Sequence, residues 1–178
     1  MNIFIALLRG INVGGHKKMP MADLRALLSN SGLENVQTYI QSGNVVFQSS
    51  ITDKFEIEAL IKNSILSHFG FEVPALVKTH LQLQTTMDNC PFDEEKKIKS
   101  YFILLDSVPK KEDVKEATKK QYDGEEYLIL NNCIYYYCEK GYGKAKFNMS
   151  YFERKLKVAA TSRNYKTIIK LIELSSAN

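Results

Sequence analysis

The first ninety residues alternate between the apolar periods of strands and of helices. Residues 3–8 are apolar without interruption and predict a buried strand. Residues 21–28 are apolar at helical spacing, with Pro20 at a plausible first helical position and Gly32 as a stop. The chain therefore opens with a strand, a polar loop and an amphipathic helix.

A hairpin and a second helix follow. Residues 36–40 and 45–47 predict two strands around the turn 41–44, where Gly43 tolerates the positive φ of a tight turn. A helix should open at Asp53 with Glu56 and close at Gly70. The next strand, 72–78, contains a proline that suits a sheet edge. This β–α–β–β–α–β order is typical of the ferredoxin-like arrangement.

The second half repeats some of this pattern after the polar segment 89–97, which we interpret as a boundary. A capping box at Thr79 and Gln82 predicts a short helix before it. The pattern then predicts a strand at 101–105, a lysine-rich helix opening at Pro109 and reaching 121, and a hairpin of the strands 127–130 and 134–138. Two helices follow, one capped by Ser150 and Glu153 and the other at 164–174.

We therefore predict an α+β fold of two parts. Residues 1–90 form a ferredoxin-like βαββαβ half, and residues 91–178 form a second, smaller α+β half with basic C-terminal helices. The composition, 44% hydrophobic and 25% charged, is that of a folded protein. No apolar run approaches the roughly 20 residues of a membrane span, and no secretion signal opens the chain. We expect a cytoplasmic protein without a membrane partner.

Cysteine and histidine usage suggests neither a disulfide framework nor a metal site. Three cysteines are too few for such a framework, and an odd spacing within one strand puts Cys133 and Cys138 on opposite faces. His16, His68 and His80 share no ligand spacing. We predict no metal ion and no cofactor.

The net charge of +4 is distributed unevenly. Residues 140–178 hold nine Lys or Arg and two Glu, a balance of +7, which leaves −3 on residues 1–139. A basic surface of this kind attracts polyanions such as nucleic acid. It also keeps a small protein soluble, so both interpretations stay open.

The loop Arg9–Lys18 carries three glycines and several cations between the first strand and the first helix. Backbone N–H groups at such a junction favour an anion, so the amides of Gly14 and Gly15, with Lys17, are candidate phosphate or carboxylate ligands. The loop is a poor match to a nucleotide-hydrolase loop, because His16 occupies the lysine position and no Ser or Thr follows. The alternative is a plain glycine turn with solvated lysines.

Antiparallel strand pairing places the turn 41–44 beside the loop 9–18. In a βαββαβ sheet the third strand runs antiparallel to the first, so the start of one lies beside the end of the other. Gln41, Ser42 and Asn44 would then face the same region as the glycine loop. The alternative is an ordinary tight turn.

Two basic segments of the second half complete the candidates. The loop 141–146 is flexible and holds Lys144, and the segment 161–167 puts Arg163 and Asn164 at the start of the last predicted helix. A guanidinium beside free amides can hold a phosphate. The alternative is that Thr161 or Ser162 only caps that helix. The tyrosine run 135–137 could stack on bases or simply pack the sheet.

Four segments carry a family resemblance: 9–15, 39–47, 141–146 and 161–164. Together they are similar to the motifs of the bacterial family catalogued as domain of unknown function 1697, and the likeness spans nearly the whole chain. The resemblance implies an α+β fold with a ferredoxin-like half. It implies no established activity.

Our leading hypothesis is a protein that binds a phosphate-bearing ligand, a nucleotide or a nucleic acid, in a basic cleft between the two halves. A competing hypothesis is a metal-independent enzyme for a small anionic substrate, with Tyr142 or His16 as acid or base. A third is a structural or interaction module. The candidate ligand-binding residues of the leading hypothesis are Arg9, Asn12, Gly14, Gly15, Lys17, Gln41, Ser42, Asn44, Lys144, Arg163 and Asn164.

Overall fold

The computed structural model describes residues 1–176 and shows an α+β protein of two compact units. The first unit contains residues 1–85 and 170–176, and the second contains residues 86–169. None of the helices within residues 1–176 combines the length and apolar character needed to cross a membrane. The division of the chain at residue 90 stays a prediction.

The first unit contains one antiparallel four-stranded sheet in the strand order β2-β3-β1-β4. Its elements follow the predicted β–α–β–β–α–β order, and a third helix continues into the second unit. They are β1 (Asn2–Leu8), α1 (Met21–Asn30), β2 (Glu34–Tyr39), β3 (Asn44–Ser49), α2 (Lys54–Phe69), β4 (Ala75–Thr79) and α3 (His80–Asp88).

The core of the first unit forms because alternate strand residues and one face of each helix are apolar. Phe4, Ala6 and Leu8 of β1 belong to the same buried cluster as Leu24 of α1 and Ile61 of α2. Burial of a large aliphatic side chain stabilises a fold by roughly 1.5–3 kcal/mol. These two helices therefore fix β1, and with it the point where the loop 9–18 leaves the sheet.

Most helix ends of the first unit lie where the sequence predicts them. Asp53 caps α2 by accepting from the Phe55 N–H, and Gly70 closes α2 at φ 76°. Thr79 and Gln82 form the predicted capping box, because each side chain accepts the backbone N–H of the other. The prediction for Pro20 was wrong by one residue, since α1 begins at Met21.

The second unit contains another antiparallel sheet, in the strand order β6-β7-β5-β8. A short 3-10 turn spans Tyr142–Lys144. The last helix of the chain begins in the second unit and ends in the first. The elements are α4 (Glu94–Lys97), β5 (Tyr101–Leu105), α5 (Lys111–Ala117), β6 (Glu125–Leu130), β7 (Cys133–Cys138), α6 (Met149–Leu156), β8 (Ala160–Asn164) and α7 (Tyr165–Ser176).

Strand β8 corrects the predicted β–α–β–β–α–α order of this half. The segment 160–164 does not open a helix but pairs with β5, with Arg163 opposite Phe102. Thr161 and Ser162 are therefore strand residues and not helix caps. Residues 160–164 lack the alternation of apolar and polar residues that predicts a strand, so the sequence favoured a helix start here.

Two other helix starts in the second unit also differ from prediction. Asn148, not Ser150, caps α6 by accepting from the Tyr151 N–H. Glu153 has a different partner, since its carboxylate accepts the Ala160 N–H at the entrance to β8. Helix α5 begins at Lys111 rather than Pro109 and ends at Ala117.

Candidate functional site

The loop 9–18 forms a small hairpin of its own. The Asn12 N–H donates to the Lys17 carbonyl at 3.2 Å, and the His16 N–H donates to the Val13 carbonyl at 3.0 Å. Gly14 and Gly15 form the two-residue tip, with φ of 58° and 78°. Two successive positive φ angles match a type I′ turn, which favours glycine at both positions.

This hairpin is not the helix N-terminus that the sequence suggested. Helix α1 begins at Met21, after Pro20, and an acidic residue, Asp23, occupies its first turn. The tip glycines therefore lie outside the helix. An anion at Gly14 and Gly15 would be held by the hairpin itself, without the helix dipole.

Asn12 holds the base of the hairpin in place. Its side-chain N–H₂ group donates to the carbonyls of Met19 and Gln41, both at 2.9 Å, and its Oδ1 accepts the Met19 N–H at 2.8 Å. Ile11 and Met19, on either side, are buried in the core of the first unit. The Asn12 amide is thus occupied by internal hydrogen bonds and positions the loop.

The structure confirms that the hairpin and the predicted turn 41–44 are neighbours, and it places the turn itself at residues 40–43. Besides the Asn12–Gln41 hydrogen bond, the Leu8 N–H donates to the Gly43 carbonyl at 2.7 Å. A Cβ at Gly43 would lie 2.6 Å from the Leu8 Cβ, which is closer than real Cβ atoms approach. We call residues 9–18 and 40–43 the loop pair.

Backbone strain is concentrated in the loop pair. Six residues other than glycine have a positive φ within residues 1–176, and three of them lie here: Asn12 at 55°, Lys17 at 46° and Ile40 at 50°. Such a conformation is an outlier for a β-branched residue such as Ile40. Strained residues of this kind persist only where the surrounding structure holds them, and they occur often at functional sites.

The loop pair presents both cationic and apolar groups to solvent. His16 and Lys18 are exposed. Val13 and Ile40 are 66% and 52% exposed. The Lys17 ammonium, also on the exposed hairpin, donates to the Glu72 carbonyl at 2.6 Å and ties the hairpin to the segment before β4.

The other candidate residues of the first unit build the turn or border it. Asn44 is fully buried and donates to the Tyr39 carbonyl at 3.1 Å and to the Ser42 hydroxyl at 3.0 Å. Arg9 is half-buried, and its N–H donates to the Pro74 carbonyl at 3.0 Å. Gln41 keeps an exposed side chain, although its carbonyl is used by Asn12.

In the second unit, Arg163 is a buried side chain of β8. It is 9% exposed, and its guanidinium donates to the Thr161 hydroxyl at 2.9 Å and to the Ser162 carbonyl at 2.8 Å. Burial lowers the pKa of Arg163 to about 10, because desolvation disfavours the charged form. Asn164 caps α7, since its Oδ1 accepts the Thr167 N–H at 2.9 Å.

The segment with Lys144 lies away from Arg163 within this unit. Paired strand residues share a face, so Arg163 lies on the Phe102 side of the sheet. Tyr142 stacks on Tyr101, the neighbour of Phe102, and therefore covers the opposite face. The structure places Arg163 and the turn at Tyr142–Lys144 on opposite faces of the second sheet.

The tyrosine run mostly packs the second sheet. Tyr135 and Tyr136 are buried, and Tyr135 donates to the Thr86 carbonyl at 2.8 Å. Burial raises the pKa of both tyrosines above the usual range. Tyr137 is half-buried, with the Lys96 ammonium 5.6 Å from its ring centre. The exposed stacked tyrosine is instead Tyr142, which the sequence marks only by its flanking glycines.

Comparisons with known proteins give this chain a family and a structural neighbour. Residues 1–135 match the family described as "Protein of unknown function (DUF1697)". The chain belongs to the DUF1697 family. A solved structure of the conserved bacterial protein SP0830 from Streptococcus pneumoniae is similar to this DUF1697 chain, with 26% identity, 99% of each chain covered and a TM-score of 0.77. No curated protein matches the chain.

Proposed function

We propose that the loop pair binds a phosphate-bearing ligand, either a nucleotide or the backbone of a nucleic acid. The observation that carries this proposal is a strained, exposed glycine hairpin held by the internal hydrogen bonds of Asn12. A turn needed only to reverse the chain could use relaxed geometry. Here the structure maintains two strained residues, Asn12 and Lys17, beside an exposed tip.

The tip is accessible to a ligand oxygen. A Cβ placed on Gly15 would meet no heavy atom within 4 Å, so a phosphate can approach the backbone there. Lys18 lies three residues after Gly15 and is exposed. Cations beside accessible backbone N–H groups favour an anion.

The exposed apolar side chains of the loop pair favour a nucleotide over a bare inorganic anion. Val13 and Ile40 are the most exposed apolar side chains of the loop pair, and burying them against a base or sugar would remove apolar surface from water. A simple phosphate ion offers no such surface. The expected order of affinity is therefore nucleotide or oligonucleotide above inorganic phosphate.

Binding titrations with matched lysine variants test this proposal. Lys18→Ala should weaken binding of a nucleotide or of a labelled single-stranded oligonucleotide and, for the oligonucleotide, reduce the salt slope by about 0.7. Lys54→Ala is the control, because Lys54 starts α2 after β3 and lies at the other end of the sheet. Equal effects of the two variants, or no binding of any of these probes at low salt, would reject the proposal.

Gly15→Ala separates a ligand role from a turn role. If the tip contacts the ligand, the variant should lose more of the ligand-induced thermal stabilisation than of the melting temperature of the free protein. Under either role the free protein should lose about 1 kcal/mol, because Gly15 has a positive φ; if Gly15 serves only the turn, the ligand-induced shift stays intact. Melting curves with and without phosphate or nucleotide give the answer.

A further inference from the structure

Tyr142 is an exposed aromatic ring fixed on a second ring. Its centroid lies 4.0 Å from that of Tyr101, with the planes 20° apart, and the buried Tyr136 contacts it edge-on at 6.1 Å. Tyr142 is nevertheless 40% exposed. Tyr101 covers one face of the ring, so a stacking ligand would have to approach from the opposite face.

The backbone around Tyr142 is held in a turn, while the ring itself stacks on Tyr101. Gly141 has φ 82° and ψ 156°, a region that is essentially restricted to glycine. The Lys144 N–H donates to the Gly141 carbonyl and the Ala145 N–H to the Tyr142 carbonyl, both at 3.1 Å. A ring held this way loses little conformational freedom when a ligand stacks on it.

The chain segment around Tyr142 carries positive charge. Lys140, Lys144 and Lys146 are exposed, and no acidic residue occurs between them. The Glu125 carboxylate accepts the Tyr136 hydroxyl and the Lys146 N–H, so each of its oxygens already has a hydrogen-bond donor. Glu139 precedes the segment. An aromatic platform flanked by lysines is the arrangement by which proteins hold single-stranded nucleic acid.

We propose that Tyr142 is a stacking platform for a base of single-stranded nucleic acid, with Lys140 and Lys144 contacting the adjacent phosphates. This site lies in the second unit and uses no residue of the loop pair. It goes beyond the proposed function, because it requires a base and not only a phosphate. If only the Lys18 variant loses binding, that result supports the loop pair as a binding site and does not test the Tyr142 site.

Affinity measurements with ring variants test the platform. Tyr142→Ala should weaken the binding of a labelled single-stranded oligonucleotide of about ten nucleotides by roughly 5- to 150-fold, whereas Tyr142→Phe keeps the ring and the affinity. Tyr137→Ala is the matched control, because this half-buried tyrosine lies under Lys96 in the same sheet. RNA and DNA probes of the same sequence are compared, and circular dichroism confirms that each variant is folded.

An oligonucleotide with abasic positions distinguishes stacking from charge attraction. If Tyr142 stacks on a base, an abasic probe should bind the wild type and Tyr142→Ala equally, since each change removes the same contact. The chain has ten tyrosines and no tryptophan, so stacking should also quench the tyrosine fluorescence of the wild-type protein. Equal affinities of wild type and Tyr142→Ala for the intact probe, an equal loss in Tyr142→Phe, or no quenching at saturation would overturn the proposal.

Discussion

Gly15 and Gly43 have nearly the same backbone conformation in different surroundings. Their φ angles are 78° and 77°. Nothing lies within 4 Å of a Cβ placed on Gly15, whereas a Cβ on Gly43 would overlap Leu8 and press on Ile11. Within the free protein, Gly15 is required by the positive φ of its turn and not by close packing. Gly43 is also required by the close approach of the turn 40–43 to β1.

We therefore expect Gly43→Ala to destabilise the protein more than Gly15→Ala. The Gly15 variant should lose about 1 kcal/mol of unfolding free energy from backbone strain. The Gly43 variant should lose about 3 kcal/mol, because overpacking adds to the same strain. Urea unfolding of both variants measures the difference. Equal losses would mean that the approach of Gly43 to Leu8 is relaxed at little cost.

The buried tyrosines should make stability depend on alkaline pH. The pKa values of Tyr135 and Tyr136 are raised above 10.0 by burial, so both stay protonated in the fold after an unfolded tyrosine has begun to ionise. The unfolded state then binds fewer protons, and the free energy of unfolding falls as pH rises above about 10, by up to about 1.4 kcal/mol per pH unit for each tyrosine.

Replacing Tyr135 by Phe isolates its share of this pH dependence. Tyr135→Phe should lower stability near neutral pH by about 1 kcal/mol, because the hydrogen bond to the Thr86 carbonyl is lost. It should also flatten the decline above about pH 10. Urea midpoints from about pH 8 to about pH 11 are the measurement. An unchanged alkaline slope would assign the pH dependence to other groups.

Among the elements, β8 and α7 show how a strand can end directly in a helix. Asn164 is the last residue of β8, and its side chain caps α7 through the Thr167 N–H. Ser162, two residues earlier, has a buried hydroxyl that finds no hydrogen-bond partner within residues 1–176. Residue types that favour a cap are therefore present at both positions, but only Asn164 lies where the helix begins.

This arrangement predicts unequal effects of two alanine substitutions. Asn164→Ala should cost about 1 kcal/mol of stability through loss of the cap. Ser162→Ala should be neutral or slightly stabilising, because it removes a buried polar atom without a partner. Thermal unfolding of the two variants is sufficient. A larger loss for Ser162→Ala would mean that its hydroxyl has a role in the strand.

At the scale of the whole molecule, the chain leaves the first unit after residue 85 and returns to it at residue 170. The return is made by the second part of α7. Ser175 is buried, its hydroxyl lies 3.0 Å from Nδ1 of His80, and it also donates to the Leu171 carbonyl. The first unit is therefore completed by residues far away in sequence.

We expect residues 1–90 alone to be less stable than the same residues with the final helix attached. A fragment of residues 1–90 lacks the hydrogen bond between Ser175 and His80, whereas a flexible linker to residues 165–176 would restore it. Urea midpoints of the two fragments provide the comparison. The same midpoint in both would show that the first unit needs nothing from α7.

The features predicted correctly from sequence depend on local signals. Capping at Asp53, the capping box at Thr79 and the hairpin at Asn131 are formed by residues a few positions apart. The proximity of the loop 9–18 and the turn 41–44 was also predicted, because antiparallel pairing of β1 and β3 requires it. Strand β8 was missed, since its strand partner β5 lies about sixty residues earlier and residues 160–164 show no apolar alternation.

The sequence alone determined the α+β class, the positions of most turns and the excess of positive charge towards the end of the chain, because these depend on periodicity, glycine and composition. Only the tertiary structure decided which polar side chains form hydrogen bonds within the protein and which stay available to a ligand. Asn12, Asn44 and Arg163 have the chemistry of ligand-binding residues, yet all three donate hydrogen bonds to groups of the protein itself. The physical reason is that burial and hydrogen-bond partners follow from strand pairing and packing between distant segments, which local sequence does not specify.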